Sequence, residues 1–285
     1  MPALALLLNA FVWGISWWPF RALQGHGLHP LWATALIYTV SLACLLAIKP
    51  RAWRSFGGNP LLWLLVVAAG LTNVGFNWAV TVGDVVRVVL LFYLMPAWSV
   101  LLAWPLLGVR PTAAALVRLA LALTGVMVVL QAGGATWPVP ESLADWMALM
   151  GGFSFALTNI LLRRMRTVAA EARILAMFFG GTVMAAGAAL AGMAQGLVMA
   201  PPPLPAAGVA VALGLSLAFL AGNIALQYGA SRLHAHTTAL IMLSEVIFAS
   251  VSSIAAGASE PSLRIWIGGA LILAAAAWSA LERAQ

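Results

Sequence analysis

Ten stretches of this chain are almost unbroken runs of apolar residues, each about 20 residues long, the length a helix needs to cross a bilayer. They lie near 3–21, 30–48, 60–81, 85–107, 112–131, 142–163, 171–194, 204–228, 234–257 and 262–281. The breaks between them carry turn and cap chemistry. Lys49-Pro50-Arg51 ends the second span, and Asn59-Pro60 opens the third, with proline at a first helical turn where its missing N–H costs nothing. Gly83-Asp84, Arg110-Pro111-Thr112, Pro201-Pro202-Pro203 and Glu260-Pro261 divide later spans, and the longest irregular stretch is Gly133-Gly134 through Pro138-Val139-Pro140. Strands of a membrane barrel alternate over about ten residues, whereas these runs are continuous and longer. The pattern predicts an all-α membrane protein with ten transmembrane helices.

The polar exceptions inside the apolar runs are not scattered. Residues four apart share a helix face. Such spacing aligns Asn9, Trp13, Trp17 and Arg21 in the first span, and Asn73, Asn77 and Thr81, with Trp78 beside them, in the third. It aligns Gly151, Phe155, Asn159 and Arg163 in the sixth, and Asn223, Gln227 and Ser231, next to Tyr228, in the eighth. In the ninth, Thr237, Ile241, Glu245 and Ser252 fall near one stripe, with Phe248 between. Spans 2, 5, 7 and 10 show nothing comparable at mid-depth, and this asymmetry predicts an interior cavity. A single amide in a membrane helix is equally explained as a bond to a neighbouring helix, worth roughly 0.6–2 kcal/mol; the coexistence of several stripes favours the cavity. Trp53, Trp137, Trp146, Trp266 and Trp278 stand near span ends and read as interfacial belt residues. Trp13, Trp17, Trp78, Trp98 and Tyr93 lie deeper, and Pro96 is expected to kink the fourth span.

Glu245 is the only acid deep inside an apolar segment, where an ionised carboxylate costs from roughly 3 kcal/mol upward, so it marks function by default. Three roles are open to it: proton carrier, partner of a substrate ammonium, or a hydrogen-bonded structural acid. His234 and His236 read as interfacial or capping residues, and His26 and His29 as solvated loop residues. Gly192 with Gly196, and Gly125 with Gly268 and Gly269, have the spacing that lets helices approach closely.

Positions 150 apart echo one another: Asn73 and Asn223, Asn77 and Gln227, Trp78 and Tyr228, Thr81 and Ser231, Trp98 and Phe248, Pro111 and Pro261. The acid is outside this echo, since Met95 stands opposite Glu245. The expected organisation is a five-helix repeat over 1–133, a linker over 134–141 and a second repeat over 142–285. Five is odd, so the two repeats enter the membrane in opposite directions, the inverted arrangement of many secondary transporters, with the substrate near the midplane between them.

Composition excludes other classes. The 285 residues are 64% hydrophobic and 7% charged, too few charges to cover a water-facing surface. The net charge of +7 invites a nucleic-acid reading, but the basic residues sit in short loops. With the N-terminus cytoplasmic, Lys49, Arg51, Arg54, Arg110, Arg118, Arg163, Arg164, Arg166, Arg173, Arg232 and Arg283 fall inside and only Arg21, Arg87 and Arg264 outside, which predicts cytoplasmic termini. Cys44 is the sole cysteine, so neither an internal disulfide nor a multi-cysteine metal site is available. No cofactor is called for. The first apolar run lacks a basic leader and a cleavage site and is expected to remain as a helix.

Trp13-Gly14 followed by Arg21, Phe155-Ala156 followed by Arg163, Pro96 in the fourth span and Glu245 in the ninth resemble the ten-helix, EamA-type members of the drug/metabolite transporter superfamily, and most of all the aromatic amino-acid exporter branch. Val246 replaces the proline that follows the glutamate in many relatives. Gly108-Val109-Arg110 and Gly257-Ala258-Ser259 stand where an acid is often found. The resemblance implies a cavity lined by spans 1, 3, 4, 6, 8 and 9, with spans 5 and 10 as packing elements, in a bacterial inner-membrane exporter.

The candidate substrate-binding set is Trp13, Trp17, Asn73, Asn77, Trp78, Tyr93, Trp98, Phe155, Asn159, Asn223, Gln227, Tyr228 and Glu245. Amides, indoles and one acid suit a small zwitterion with an apolar or aromatic side chain. With no basic residue read at mid-depth, anionic substrates are disfavoured. The expectation is a monomeric secondary transporter exporting neutral and aromatic amino acids by alternating access. A broad metabolite or lipophilic-cation exporter is the nearest alternative. An intramembrane enzyme lacks paired acids, a metal-binding helix or a nucleophile elbow, and a channel lacks a carbonyl filter or charged ring.

Overall fold

The computed structural model describes residues 1–56, 59–108, 110–131, 139–165, 167–230, 232–233 and 235–281. Ten helical segments are long and apolar enough to cross a membrane: Pro2–Gly25, Pro30–Ile48, Pro60–Val82, Val85–Leu106, Ala113–Leu130, Leu143–Arg164, Ala170–Ala194, Ala206–Ala230, Thr237–Ala255 and Leu263–Leu281, numbered spans 1 to 10 below. Trp137, Arg166, Ser231, His234, Arg283, the side chain of His236 and most of the linker lie outside the described residues.

Local chemistry sets the starts. Asn59 accepts the Leu61 N–H at 3.0 Å ahead of Pro60, and Thr112 accepts the Ala115 N–H at 3.1 Å. Ser142 and Asp145 form a reciprocal capping box at the head of span 6. His29 is not a solvated loop residue: its Nδ1 accepts the Leu31 N–H and its ring lies 5.0 Å from that of Trp78. Gly196 ends span 7 with φ of +71° and serves the turn rather than a helix-packing pair.

Three spans are interrupted. Span 1 breaks at Ser16, between Pro2–Ile15 and Trp17–Gly25, and the Ser16 hydroxyl donates to the Trp13 carbonyl at 2.7 Å. Span 4 breaks at Tyr93-Leu94, between Val85–Phe92 and Met95–Leu107. Pro96 follows that break and has no N–H for the Phe92 carbonyl four residues back. Span 9 breaks at Leu243, between Ala235–Met242 and Ser244–Ala255, with no proline or glycine at the break.

The packing has an internal order. Span 3 lies on span 6 as span 8 lies on span 1, span 3 on span 7 as span 8 on span 2, and span 4 on span 6 as span 9 on span 1. Spans 2 and 7, 4 and 9, and 5 and 10 each pair with their own counterpart. Exchanging the two halves of the chain therefore leaves this set of contacts unchanged. Spans 5 and 10 meet at Gly125 and Gly268, where a Cβ on either would stand 2.6–2.7 Å from the other's carbonyl oxygen.

With ten spans, both chain ends lie on one side, and the opposite, distal end is laced by side chains. Arg21 donates to the Val80 and Gly83 carbonyls at the end of span 3. Arg87 holds Asp145 and donates to the Val129 and Leu130 carbonyls. Arg264 donates to the Gln131 carbonyl, and the Val86 N–H meets the Ser259 hydroxyl. Arg118 is not a loop charge; it is buried within span 5, with its guanidinium 5.8 Å from the Trp278 ring centre.

Candidate transport site

The inward faces of spans 1, 3 and 8 carry the amides the spacing singled out. Asn9, Asn73, Asn77 and Asn223 are all buried, while Leu8, Phe11, Trp18 and Ile224 on the opposite faces are exposed. Two of these amides are engaged by span 2, which the stripe argument left out. The Tyr38 hydroxyl donates to Asn73 Oδ1 at 2.7 Å, and Asn77 Nδ2 donates to Thr34 Oγ1 at 3.3 Å. Ser41 continues the same face, donating to the Ser216 carbonyl of span 8 at 3.0 Å. Thr34, Tyr38 and Ser41 are spaced four and three apart, so the signal was present, but hydroxyls are weaker markers than amides.

Aromatic rings fill the space between. Trp13 stacks on Phe219 with centroids 4.5 Å apart and meets Phe76 edge-on at 5.9 Å. Phe219 continues to Tyr38 at 5.7 Å, and Phe76 to Phe92 at 4.8 Å. Phe92 in turn contacts Phe155 at 5.5 Å and Tyr93 at 6.3 Å. This ladder runs through spans 2, 8, 1, 3, 4 and 6. Phe76, Phe92 and Phe219 were not singled out in the sequence, because phenylalanine in an apolar run carries no polar mark.

The ladder ends at Glu245. Its carboxyl is 3.1 Å from the hydroxyl of Tyr93, which also reaches the Met242 carbonyl at 3.0 Å. Gly14 lets span 9 come close, since a Cβ there would stand 2.8 Å from the Glu245 carbonyl oxygen and 2.6 Å from Cβ of Phe248. Trp17, one turn on, donates to Ser252 at 2.9 Å.

The remaining candidates disperse. Trp78 packs on His29 near the distal end, and Trp98 meets Phe153 at 5.6 Å. Asn159 and Gln227 are half-buried. Tyr228 is exposed at 41%, with the Arg232 guanidinium 3.9 Å from its ring centre, and does not face the interior. The helical face that carries Asn223 inward turns its neighbours Ile224 and Tyr228 outward.

The expected open hollow is instead a closed polar and aromatic seam, because span 2 hydroxyls and Tyr93 occupy the groups that would line it. The structure has a groove of about 520 Å³ between spans 2, 7 and 8, walled by apolar groups such as Trp32, Leu36, Leu204 and Leu213, and a cavity of about 10 Å³ behind Tyr93. Neither is lined by Asn73, Asn77, Asn223 or Glu245. Within the seam, both amide atoms of Asn9, Oδ1 of Asn77 and Oδ1 of Asn223 have no hydrogen-bond partner among the described residues. An unsatisfied buried polar group costs roughly 1–3 kcal/mol, so each of these atoms offers a bond that another molecule can complete.

Ten spans and a buried amide–aromatic seam describe a multi-pass membrane protein. Residues 1–131 match the EamA-like transporter family. The match covers the first five spans, fewer than half of the 285 residues. A protein of known crystal structure superposes with a TM-score of 0.64 at 19% identity, covering 98% of this chain and 97% of that one, which shows a shared fold. No curated protein matches. The Trp13-Gly14 pair has a physical meaning here: the indole stacks across to span 8 while the glycine admits span 9. Among the described residues no cluster of three or more histidines, cysteines or acids has the geometry to hold a metal ion.

Proposed function

We propose that this EamA-type protein is a secondary transporter that exports small neutral amino acids, aromatic ones above all, by alternating access between two oppositely inserted five-helix halves. The observation that carries this reading is the unpartnered amide atoms on Asn9 and Asn223, each one helical turn from a ring of the Trp13–Phe219 stack, with a further one on Asn77 of span 3. Amides offer donors and acceptors together, as the ammonium and carboxylate of a zwitterion require. The aromatic stack offers a face for the side chain. Asn73 and Trp17 border the same seam, and Phe155 closes its span 6 side.

The interchangeable packing of the two halves supports a rocking motion about the seam, and the bonded distal end supports a resting state closed on that side. Loop charge supports cytoplasmic termini in a bacterial inner membrane. On this reading Glu245 acts outside the substrate contacts, since Tyr93 takes up its carboxyl.

Purified protein in liposomes preloaded with unlabelled phenylalanine tests the reading. Saturable counterflow of labelled phenylalanine, competed by other neutral amino acids, is expected. Counterflow of lipophilic cations alone moves the protein to the broad-exporter class. Bulk ion current or a chemical product, without counterflow, overturns the carrier reading.

A further inference from the structure

We propose that Glu245 and Tyr93 form a proton-binding site that couples the breaks of spans 4 and 9 to the protonation of one carboxyl. This rests on the transporter reading above.

The geometry is a problem of counting hydrogens. The Tyr93 hydroxyl has one proton and two oxygens in reach, the Met242 carbonyl at 3.0 Å and a Glu245 carboxyl oxygen at 3.1 Å. A carbonyl can only accept. Both contacts are hydrogen bonds together only when Glu245 is protonated and donates to Tyr93, which in turn donates to Met242. When Glu245 gives its proton to water on whichever side is open, the carboxylate accepts the Tyr93 proton instead, and the Met242 carbonyl loses its donor. One proton leaves the carboxyl and none leaves the phenol.

The carbonyl that is switched sits at a structural weak point. At the span 9 break the Val246 N–H bonds to Leu243 rather than to Met242, and the neighbouring Ile241 carbonyl is taken by the Ser244 hydroxyl at 2.7 Å. Tyr93 is itself the first residue of the span 4 break. The hydrogen bond therefore joins two interrupted helices, one from each half of the chain. Glu245 lies in the first turn of the second half of span 9, where a carboxylate is favoured by the helix N-terminus. Both charge states of the acid are thus provided for, each with a different bond across the two breaks. In transporters such broken helices flank the midplane site and move against it.

Among the described residues, several ionisable groups on the elements around Glu245 are bonded to partners other than Glu245. On span 1, Arg21 holds the Val80 and Gly83 carbonyls; on span 4, Arg87 holds Asp145. At the end of span 8, the Arg232 guanidinium lies over the Tyr228 ring, and on span 10, Arg264 holds the Gln131 carbonyl. On span 5, Arg118 walls the cavity of about 10 Å³ that Tyr93 and Pro96 also wall. A cavity of that size is near the limit for one water.

Two measurements on the full-length protein test this. In liposomes, a gradient of about one pH unit should concentrate labelled phenylalanine about tenfold if one proton exchanges per substrate. Wild type is expected to do so, and Glu245→Gln, which keeps a donor to Tyr93 but cannot ionise, to show no accumulation. Infrared difference spectra of purified protein, taken between acid and alkaline pH, should show a buried carboxyl band that is lost in Glu245→Gln and shifted in Tyr93→Phe. Wild-type counterflow without pH-driven accumulation overturns the proton site and leaves the carrier reading intact. Absence of all counterflow strikes the carrier reading, and the infrared arm still decides the proton site: a wild-type spectrum with no titrating buried carboxyl, or a band unmoved by Tyr93→Phe, overturns it.

Discussion

Asp145 accepts two hydrogen bonds from one guanidinium, that of Arg87, at 2.8 and 2.9 Å. The pair joins the head of span 4 to the head of span 6, across the two halves of the chain. Arg87 also donates to the Val129 carbonyl at 2.9 Å, so span 5 is fastened by the same side chain. The Asp145 side chain is 3% exposed, and removing one partner of such a pair leaves a buried charge. The expected cost of Arg87→Ala or Asp145→Ala is about 3–5 kcal/mol. A large fall in melting temperature in detergent checks this, with a smaller fall for the double variant Arg87→Met with Asp145→Leu. Equal losses in single and double variants would mean that the pair contributes no specific bond.

The contact of spans 5 and 10 depends on the absence of two side chains. Gly125→Val or Gly268→Val places methyl groups where a Cβ already meets the facing carbonyl at 2.6–2.7 Å. Overpacking of this kind costs about 1–3 kcal/mol. A lowered melting temperature with unchanged substrate preference among the molecules still folded is expected, because neither residue approaches the seam.

His29 gives a pH dependence at the distal end. Burial holds its imidazole below the ordinary value of 6.5, and its Nδ1 must be unprotonated to accept the Leu31 N–H. A group held down in this way contributes stability above 6.5, and the contribution is lost as pH falls through the lowered native value. His29→Asn keeps a capping acceptor without a titrating ring and should flatten the melting curve below 6.5. His29→Ala should lower stability above 6.5 by about 1 kcal/mol, the usual worth of a cap, and its difference from wild type should shrink as pH falls and the wild-type cap is lost.

Much of this was legible in the chain itself. Asn59 and Pro60 fixed where span 3 begins, and spacing by four turned Asn9, Asn73, Asn77 and Asn223 inward. What escaped has physical reasons. The break at Leu243 has no glycine or proline to announce it, and Pro19, which has no N–H for the Ile15 carbonyl at the break near Ser16, was not singled out. Arg87 and Asp145 are 58 positions apart, and a charge near a loop reads as an orientation signal until a partner is placed beside it. Tyr38 was hidden because a hydroxyl at mid-span carries little weight until an amide is found opposite it. Tyr228 shows the converse: adjacency in sequence to a stripe residue puts a side chain on a different face.

The seam itself can be tested by separating stability from transport. Asn9 is 1% exposed and both its amide atoms are unpartnered among the described residues. Replacing an unsatisfied buried amide by leucine removes a cost of roughly 1–3 kcal/mol, so Asn9→Leu should melt at the wild-type temperature or above it. If the same amide binds substrate, counterflow of labelled phenylalanine by that variant should fall by about tenfold or more, the loss that one strong polar contact produces. A stable Asn9→Leu protein with slow or absent counterflow is the result this account predicts. Stable protein with wild-type counterflow would contradict it, because the amide would then be neither a structural bond nor part of the site.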